Sequence, residues 1–147
     1  MYDVKRWEDL NKTQQTKAMN ILSRATSVRD WHGPSKLVLF QDEKPISAVS
    51  YEHLGDAFIL ISAIGSHQKA IISAHLGRYP MHELLIHLAK LVWKPGMSVG
   101  YTPLTPEGAR WLALLYERYN LGSNPEPSKL FARLKEEKPM ARESWRR

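Results

Sequence analysis

The sequence predicts an α/β domain with one mixed central sheet and flanking helices, in the order β-α-β-β-β-α-β-α. Three observations predict it. Apolar residues recur at three- and four-residue spacing in three separate stretches, as on the buried stripe of a helix. Between the first and second of these lie three short runs rich in Val, Ile, Leu, Tyr and Phe, joined by polar turns. A further run of that kind precedes the last helical stretch, so strands and helices alternate along the chain.

Taken in order, YDVKRW at 2–7 alternates weakly and predicts a short first strand. Residues 11–31 predict a helix with Ala18, Ile21, Leu22, Ala25 and Val28 on one face, broken at His32-Gly33-Pro34. KLVLFQ at 36–41, PISAVSYEH at 45–53 and AFILISAI at 57–64 predict an antiparallel meander, with turns at Asp42-Glu43-Lys44 and Leu54-Gly55-Asp56. The last of the three is apolar at nearly every position, which predicts a strand inside the sheet with both faces covered. Residues 66–78 carry signals for both strand and loop. YPMHELLIHLAKLV at 79–92 predicts a strong helix, ended by Trp93-Lys94-Pro95-Gly96. MSVGYTPL at 97–104 predicts a strand feeding a helix over 104–122, with Thr105 as N-cap, Pro106 in the first turn, Glu107 at the positive end and Gly122 as the stop. After a turn at 125–127, residues 129–134 are expected to add a final strand.

A chain of 147 residues fits one domain and buries a sizeable core without metal or disulfide staples. The division expected is a main domain over 1–124 and a basic C-terminal arm over 125–147. With no cysteine, a disulfide framework, a thiolate nucleophile and cysteine-ligated metal sites are excluded, and a reducing cytoplasm is compatible. MYDVKRWEDLNK has no apolar run behind its charges, and AFILISAIG is too short to span a bilayer, so neither signal peptide nor membrane span is expected. Net charge is +6, and seven Lys/Arg against three Glu fall between Lys129 and Arg147. Such an arm either is solvated or meets an anionic partner, nucleic acid included.

HELLIH at 82–87 is one residue too long for the zinc-hydrolase pattern: histidines five apart sit about 140° from each other around a helix. They are expected to face solvent or the core edge, with no metal. No G-x-S-x-G elbow and no phosphate-binding P-loop occurs. Trp7 and Trp145 stand beside basic residues, as single-strand nucleic-acid binders require, although Trp7, Trp31, Trp93 and Trp111 are expected to fill core and helix–sheet gaps.

The element order, together with the stretch 37–64 and the helix containing Ala113, Leu115, Tyr116, Glu117 and Arg118, resembles the GNAT superfamily of N-acyltransferases. The resemblance covers roughly residues 2–121. It implies that acetyl-coenzyme A enters where the fourth and fifth strands splay apart, against backbone groups of Ser62, Ala63 and Ile64. It implies that the diphosphate lies on the N–H groups opening the next helix, around Gly77 and Arg78. An amine of a small molecule or protein would attack the thioester, and Tyr116 would protonate the departing thiolate. Glu52, His53 and His67 are the candidate bases. Of the family's [QR]-x-x-G-x-[GA] loop only Gly77 is matched, which leaves Arg78, Lys69 and the helix end to hold phosphates. The alternative in another class is a GNAT-shaped chain without cofactor that serves as a binding or structural subunit, for example of a phage particle.

Overall fold

The computed structural model describes residues 1–23, 33–66 and 71–146. The elements are β1 (Tyr2–Arg6), a 3-10 turn (Trp7–Asp9), α1 (Lys12–Ser23), β2 (Ser35–Gln41), β3 (Lys44–His53), β4 (Phe58–Ser66), α2 (Pro80–Val92), β5 (Ser98–Tyr101), α3 (Pro106–Arg118), α4 (Pro127–Glu136) and β6 (Arg142–Glu143). The expected continuation of the first helix through Ala25 and Val28 to Trp31, the break at His32, and the stretch 67–70 lie outside the described residues.

One six-stranded mixed sheet runs β5-β4-β3-β2-β1-β6. Its meander β1 to β4 is antiparallel, while β5 lies parallel to β4 and β6 parallel to β1. The β2–β3 turn consists of Asp42 and Glu43, both at positive φ, the two-residue geometry whose twist matches that of the strands it joins. Side chains alternate across β2: Leu37 and Leu39 join the cluster under α2, while Val38 and Phe40 join Ala18, Ile21 and Leu22 of α1 on the opposite face. The result is three layers, with the sheet between α1 on one side and α2 and α4 on the other. Among the described residues no helix is long and apolar enough to cross a membrane.

One expectation is corrected here. Residues 129–134 form part of α4 and not a strand; the last strand is β6, farther along and at the opposite edge from β5. Leu130, Phe131 and Leu134 meet the spacing of a helical stripe, Pro127 occupies the first turn, and all three apolar side chains are fully buried. The segment 125–146 thus carries core residues, Ala141 and Trp145 among them, and its cations are largely engaged. Arg142 pairs with Asp3, Arg146 with Glu143, and Lys135 donates to the Trp93 carbonyl. Residues 71–79, ambiguous in sequence, make a tight turn closed by a single bridge between Ser73 and Arg78, with Gly77 at φ +60°.

Candidate functional site: a cleft where two parallel strands part

The β4–β5 ladder pairs Phe58 with Ser98, Ile59 with Val99, Leu60 with Gly100 and Ile61 with Tyr101, and ends there, whereas β4 continues to Ser66. A β-bulge explains the place of the break. Ser50 pairs with Ala63 and Tyr51 with Ile61, so Ser62 has no opposite residue on β3. Bulges bend the strand that carries them and increase its twist. The last links to β5 are from Thr102, whose N–H donates to the Ile61 carbonyl (3.0 Å) and whose Oγ1 donates to the Ser62 carbonyl (2.8 Å). Thr105 then caps α3, its side chain accepting from the Gly108 N–H, and Pro106 starts the helix, so the chain turns away from the sheet. From Ala63 to Gly65 the outer edge of β4 has no partner strand among the described residues.

The bulge is held from behind. Ser62 Oγ lies 2.6 Å from Ser50 Oγ and accepts from the Gly33 N–H at 2.7 Å, all buried. Gly33 must be glycine here, since a Cβ would lie 2.4 Å from the Tyr51 carbonyl oxygen.

Between the parted strands and helices α2 and α3 is an apolar cleft bounded by Ile61, Ile64, Leu85, Tyr101, Leu104 and Trp111, with Gly108 and Leu112 completing the α3 wall. It leaves about 20 Å³ to the centre of a water-sized sphere, room for about one water molecule. Tyr116 is buried just behind the wall, and its hydroxyl donates to that of Tyr101 at 3.4 Å. Burial raises both phenols above their ordinary value, which keeps each protonated at neutral pH.

Of the residues expected at the site, the structure gathers Ser62, Ala63, Ile64 and Tyr116 at or beside this cleft. Ala63 points its side chain to the α1 face, and the Ser62 carbonyl is already occupied by Thr102. Gly77 and Arg78 belong to a different constellation. Arg78 is buried; its Nη1 donates to Glu83 Oε1 (2.7 Å) and the Lys138 carbonyl (2.8 Å), its Nη2 to Glu137 Oε2 (3.2 Å). Only Nε is without a partner among the described residues. The Gly77 and Leu76 carbonyls accept from Arg118. His53 sits opposite Ile59, about 16 Å along the strand from Ile64, and lines a separate open groove with Asp56 and Lys94. Glu52 lies opposite Leu60, short of the bulge. His67 and Lys69 fall outside the described residues.

The histidines of HELLIH are corrected from surface or core-edge positions to fully buried ones. Five residues apart, they face different neighbours. Trp145 Nε1–H donates to His87 Nδ1 (2.7 Å), which puts the ring proton on Nε2, 2.6 Å from Glu83 Oε2. That same carboxylate oxygen accepts from the Met140 and Ala141 N–H groups at 3.0 Å each. His82 Nε2 lies 2.7 Å from the Tyr119 hydroxyl, which donates to Glu137 Oε1 at 3.0 Å. A continuous polar chain therefore runs His82–Tyr119–Glu137–Arg78–Glu83–His87–Trp145 and locks the C-terminal segment over the start of α2. Burial works to raise the Glu83 carboxyl, but hydrogen bonds from His87, Ala141 and Arg78 bring it down to about 2. His82 is lowered to about 3 by burial and then by the Arg118 and Arg78 charges. Trp145, buried in this chain, has no ring face free for stacking on a base.

Sequence reasoning did not single out Tyr101. The available signal was its place as the last residue of a strand before Thr-Pro, where a ladder must stop. The chain matches no protein-family model, and no curated protein matches it.

Proposed function

We propose that this chain is a GNAT-like N-acyltransferase that moves an acetyl group from a thioester donor, acetyl-coenzyme A, to an amine. The single observation supporting it is the end of the β4–β5 ladder at Ile61, which leaves the edge of β4 at Ala63 and Ile64 without a partner strand among the described residues, beside an apolar cleft and a pair of tyrosine hydroxyls. An extended pantetheine-like arm carries amide groups that such an edge recognises as it would a further strand. Ala63 and Ile64 would hold the arm, Leu104 and Trp111 would cover it, and the tyrosine pair containing Tyr116 would supply the proton that the leaving sulfur requires. At the donor's acyl end the apolar lining of the cleft suits its chemistry, but the present size of the cleft does not. The donor does not fit at its diphosphate end as the resemblance implied, because Arg78 is enclosed by two carboxylates and Pro80 removes an N–H from the start of α2. Entry of the arm requires α3 and its lead-in to yield, since the cleft now admits about one water.

That mismatch favours a second reading, a binding or structural subunit that keeps the shape without the chemistry. Thermal denaturation with acetyl-coenzyme A, combined with an assay for thiol release in the presence of amines, separates the two. The first reading predicts saturable stabilisation, about 2.7 kcal/mol at a hundredfold excess over Kd, and amine-dependent thiol release. Unchanged melting at millimolar donor and no thiol release would favour the second.

A further inference from the structure

We infer that the β2–β1–β6 side of the sheet is a binding surface for the phosphate backbone of a single-stranded nucleic acid, made by Lys36, Lys5 and Arg142 together with the Trp7 ring. It lies apart from the cleft and does not depend on the acyltransferase reading. Strand register sets the three cations in a row. Lys5 on β1 stands opposite Val38, and Lys36 is two residues from Val38 on β2, so both share the face of Val38 and Phe40. Asp3 stands opposite Phe40, and Arg142 of β6 opposite Asp3, on that face again. Helix α1 packs chiefly over β3 and β4 and leaves the row at its side.

The row is short of anions. Asp3, itself buried, serves two of the cations at once, Lys5 at 3.9 Å and Arg142 at 3.3 Å. Glu8, next to Trp7, lies 3.9 Å from Arg6, and Asp9 is itself engaged. The Lys36 ammonium meets no carboxylate among the described residues; it lies over the Trp7 ring, 4.8 Å from its centre, as Lys5 lies over Phe40 at 5.2 Å. Partial burial holds Lys36 below the ordinary lysine value, with no neighbouring charge to offset it. Lys5 and Lys36 are diagonal neighbours on one face, about 7–8 Å apart, and repel until an anion joins them. Helix α1 adds charge of the same sign. Its first turn carries Lys12 where helices favour a carboxylate, its capping pair is the neutral Asn11 with Gln14, and Lys17 follows. Gln15 Nε2 donates to the Trp7 carbonyl (3.2 Å), which puts the start of this helix beside the ring.

A single-stranded polynucleotide suits this surface better than an acidic peptide or a duplex. Its phosphates repeat one negative charge per unit, as the row repeats a positive one. A phosphate that draws Lys36 off the Trp7 ring gains a charge-assisted hydrogen bond and frees a ring face on which a base can stack. A peptide carboxylate offers the first contact without the second, and a duplex keeps its bases inside.

Fluorescence anisotropy with a labelled single-stranded oligothymidylate, read over a range of salt, tests it on the full chain. Wild type should bind saturably at low salt, with log K falling against log salt at a slope of about −2, since each phosphate contact to a single strand contributes about 0.7. In Lys5→Gln/Lys36→Gln the slope should shrink by about 1.4, with affinity at low salt down at least about tenfold. Lys5→Arg/Lys36→Arg should restore both. Lys94→Gln/Lys129→Gln, the same change of charge placed on other elements, should leave the slope as in wild type. A measurement that needs no variant is the indole N–H resonance of Trp7, which should shift during the titration while that of the buried Trp145 stays. No saturable binding at low salt, an equal loss of slope in the Lys94/Lys129 variant, an unmoved Trp7 indole, or tighter binding of polyglutamate than of the oligonucleotide would each overturn the inference and leave the acyltransferase reading untouched.

Discussion

Replacing Glu83 with glutamine is expected to cost about 3–5 kcal/mol of folding stability, the range for breaking a buried ion pair on one side only. Both carboxylate oxygens of Glu83 face donors: Arg78 on one, and His87 with the Met140 and Ala141 N–H groups on the other. An amide must set an NH2 against one of those sets, leaving either one guanidinium N–H of Arg78 or the His87 N–H and two backbone N–H groups without that acceptor. Calorimetric melting should fall on the order of 10 °C for a domain of this size, and protease should cut within 125–146 at temperatures where the wild type resists. A loss under about 1 kcal/mol, that of one ordinary hydrogen bond, would mean that the carboxylate does not hold the C-terminal segment in place.

Acid should destabilise the protein well before carboxylates protonate. His82 titrates at about 3 in the folded chain against 6.5 ordinarily. The unfolded chain therefore binds a proton below pH 6.5 that the folded chain refuses, and stability, complete above that pH, falls as pH drops towards 3. The slope reaches about 1.4 kcal/mol per pH unit for one such group. Glu83 adds a second loss between its ordinary 4.5 and about 2, where its folded-state hydrogen bonds are given up. Between pH 6.5 and 4.5 the histidine dominates these two. Urea unfolding across that interval should show wild type losing about 2 kcal/mol and His82→Gln, whose amide donates to Tyr119 without titrating, losing much less. Equal slopes in the two proteins would contradict the account of His82.

The local signals were strong enough to place most elements. The stripe of α2, the cap Thr105 with Pro106 on α3, and the apolar runs of β2, β3 and β4 each bury in the structure what their period marked for burial. The failures have two causes. At 129–134 the strand expectation gave too little weight to the 130-131-134 spacing behind Pro127, which is a helical signal. At His82, His87 and Arg78 no local pattern was sufficient. Their burial is made tolerable by partners 37 to 59 residues away in sequence: Tyr119, Trp145 and Glu137. Basic residues next to Trp145 likewise suggested a surface, while its indole had a buried acceptor waiting 58 positions earlier. The parting of β4 and β5 could be expected from resemblance, but its position could not. A one-residue bulge at Ser62 has no signature in composition, since Ser62 alternates normally with its neighbours.

The proposed chemistry depends on the edge of β4 at Ala63 and Ile64 being a receptor for an extended thioester arm. Backbone amide resonances followed during titration with acetyl-coenzyme A test this most directly. Saturable shifts at Ala63, Ile64, Thr105 and Gly108, with little change at His53, Asp56 and Lys94, are the result predicted. A titration that moves none of the first four, or moves only the groove at the opposite end of the sheet, would contradict it.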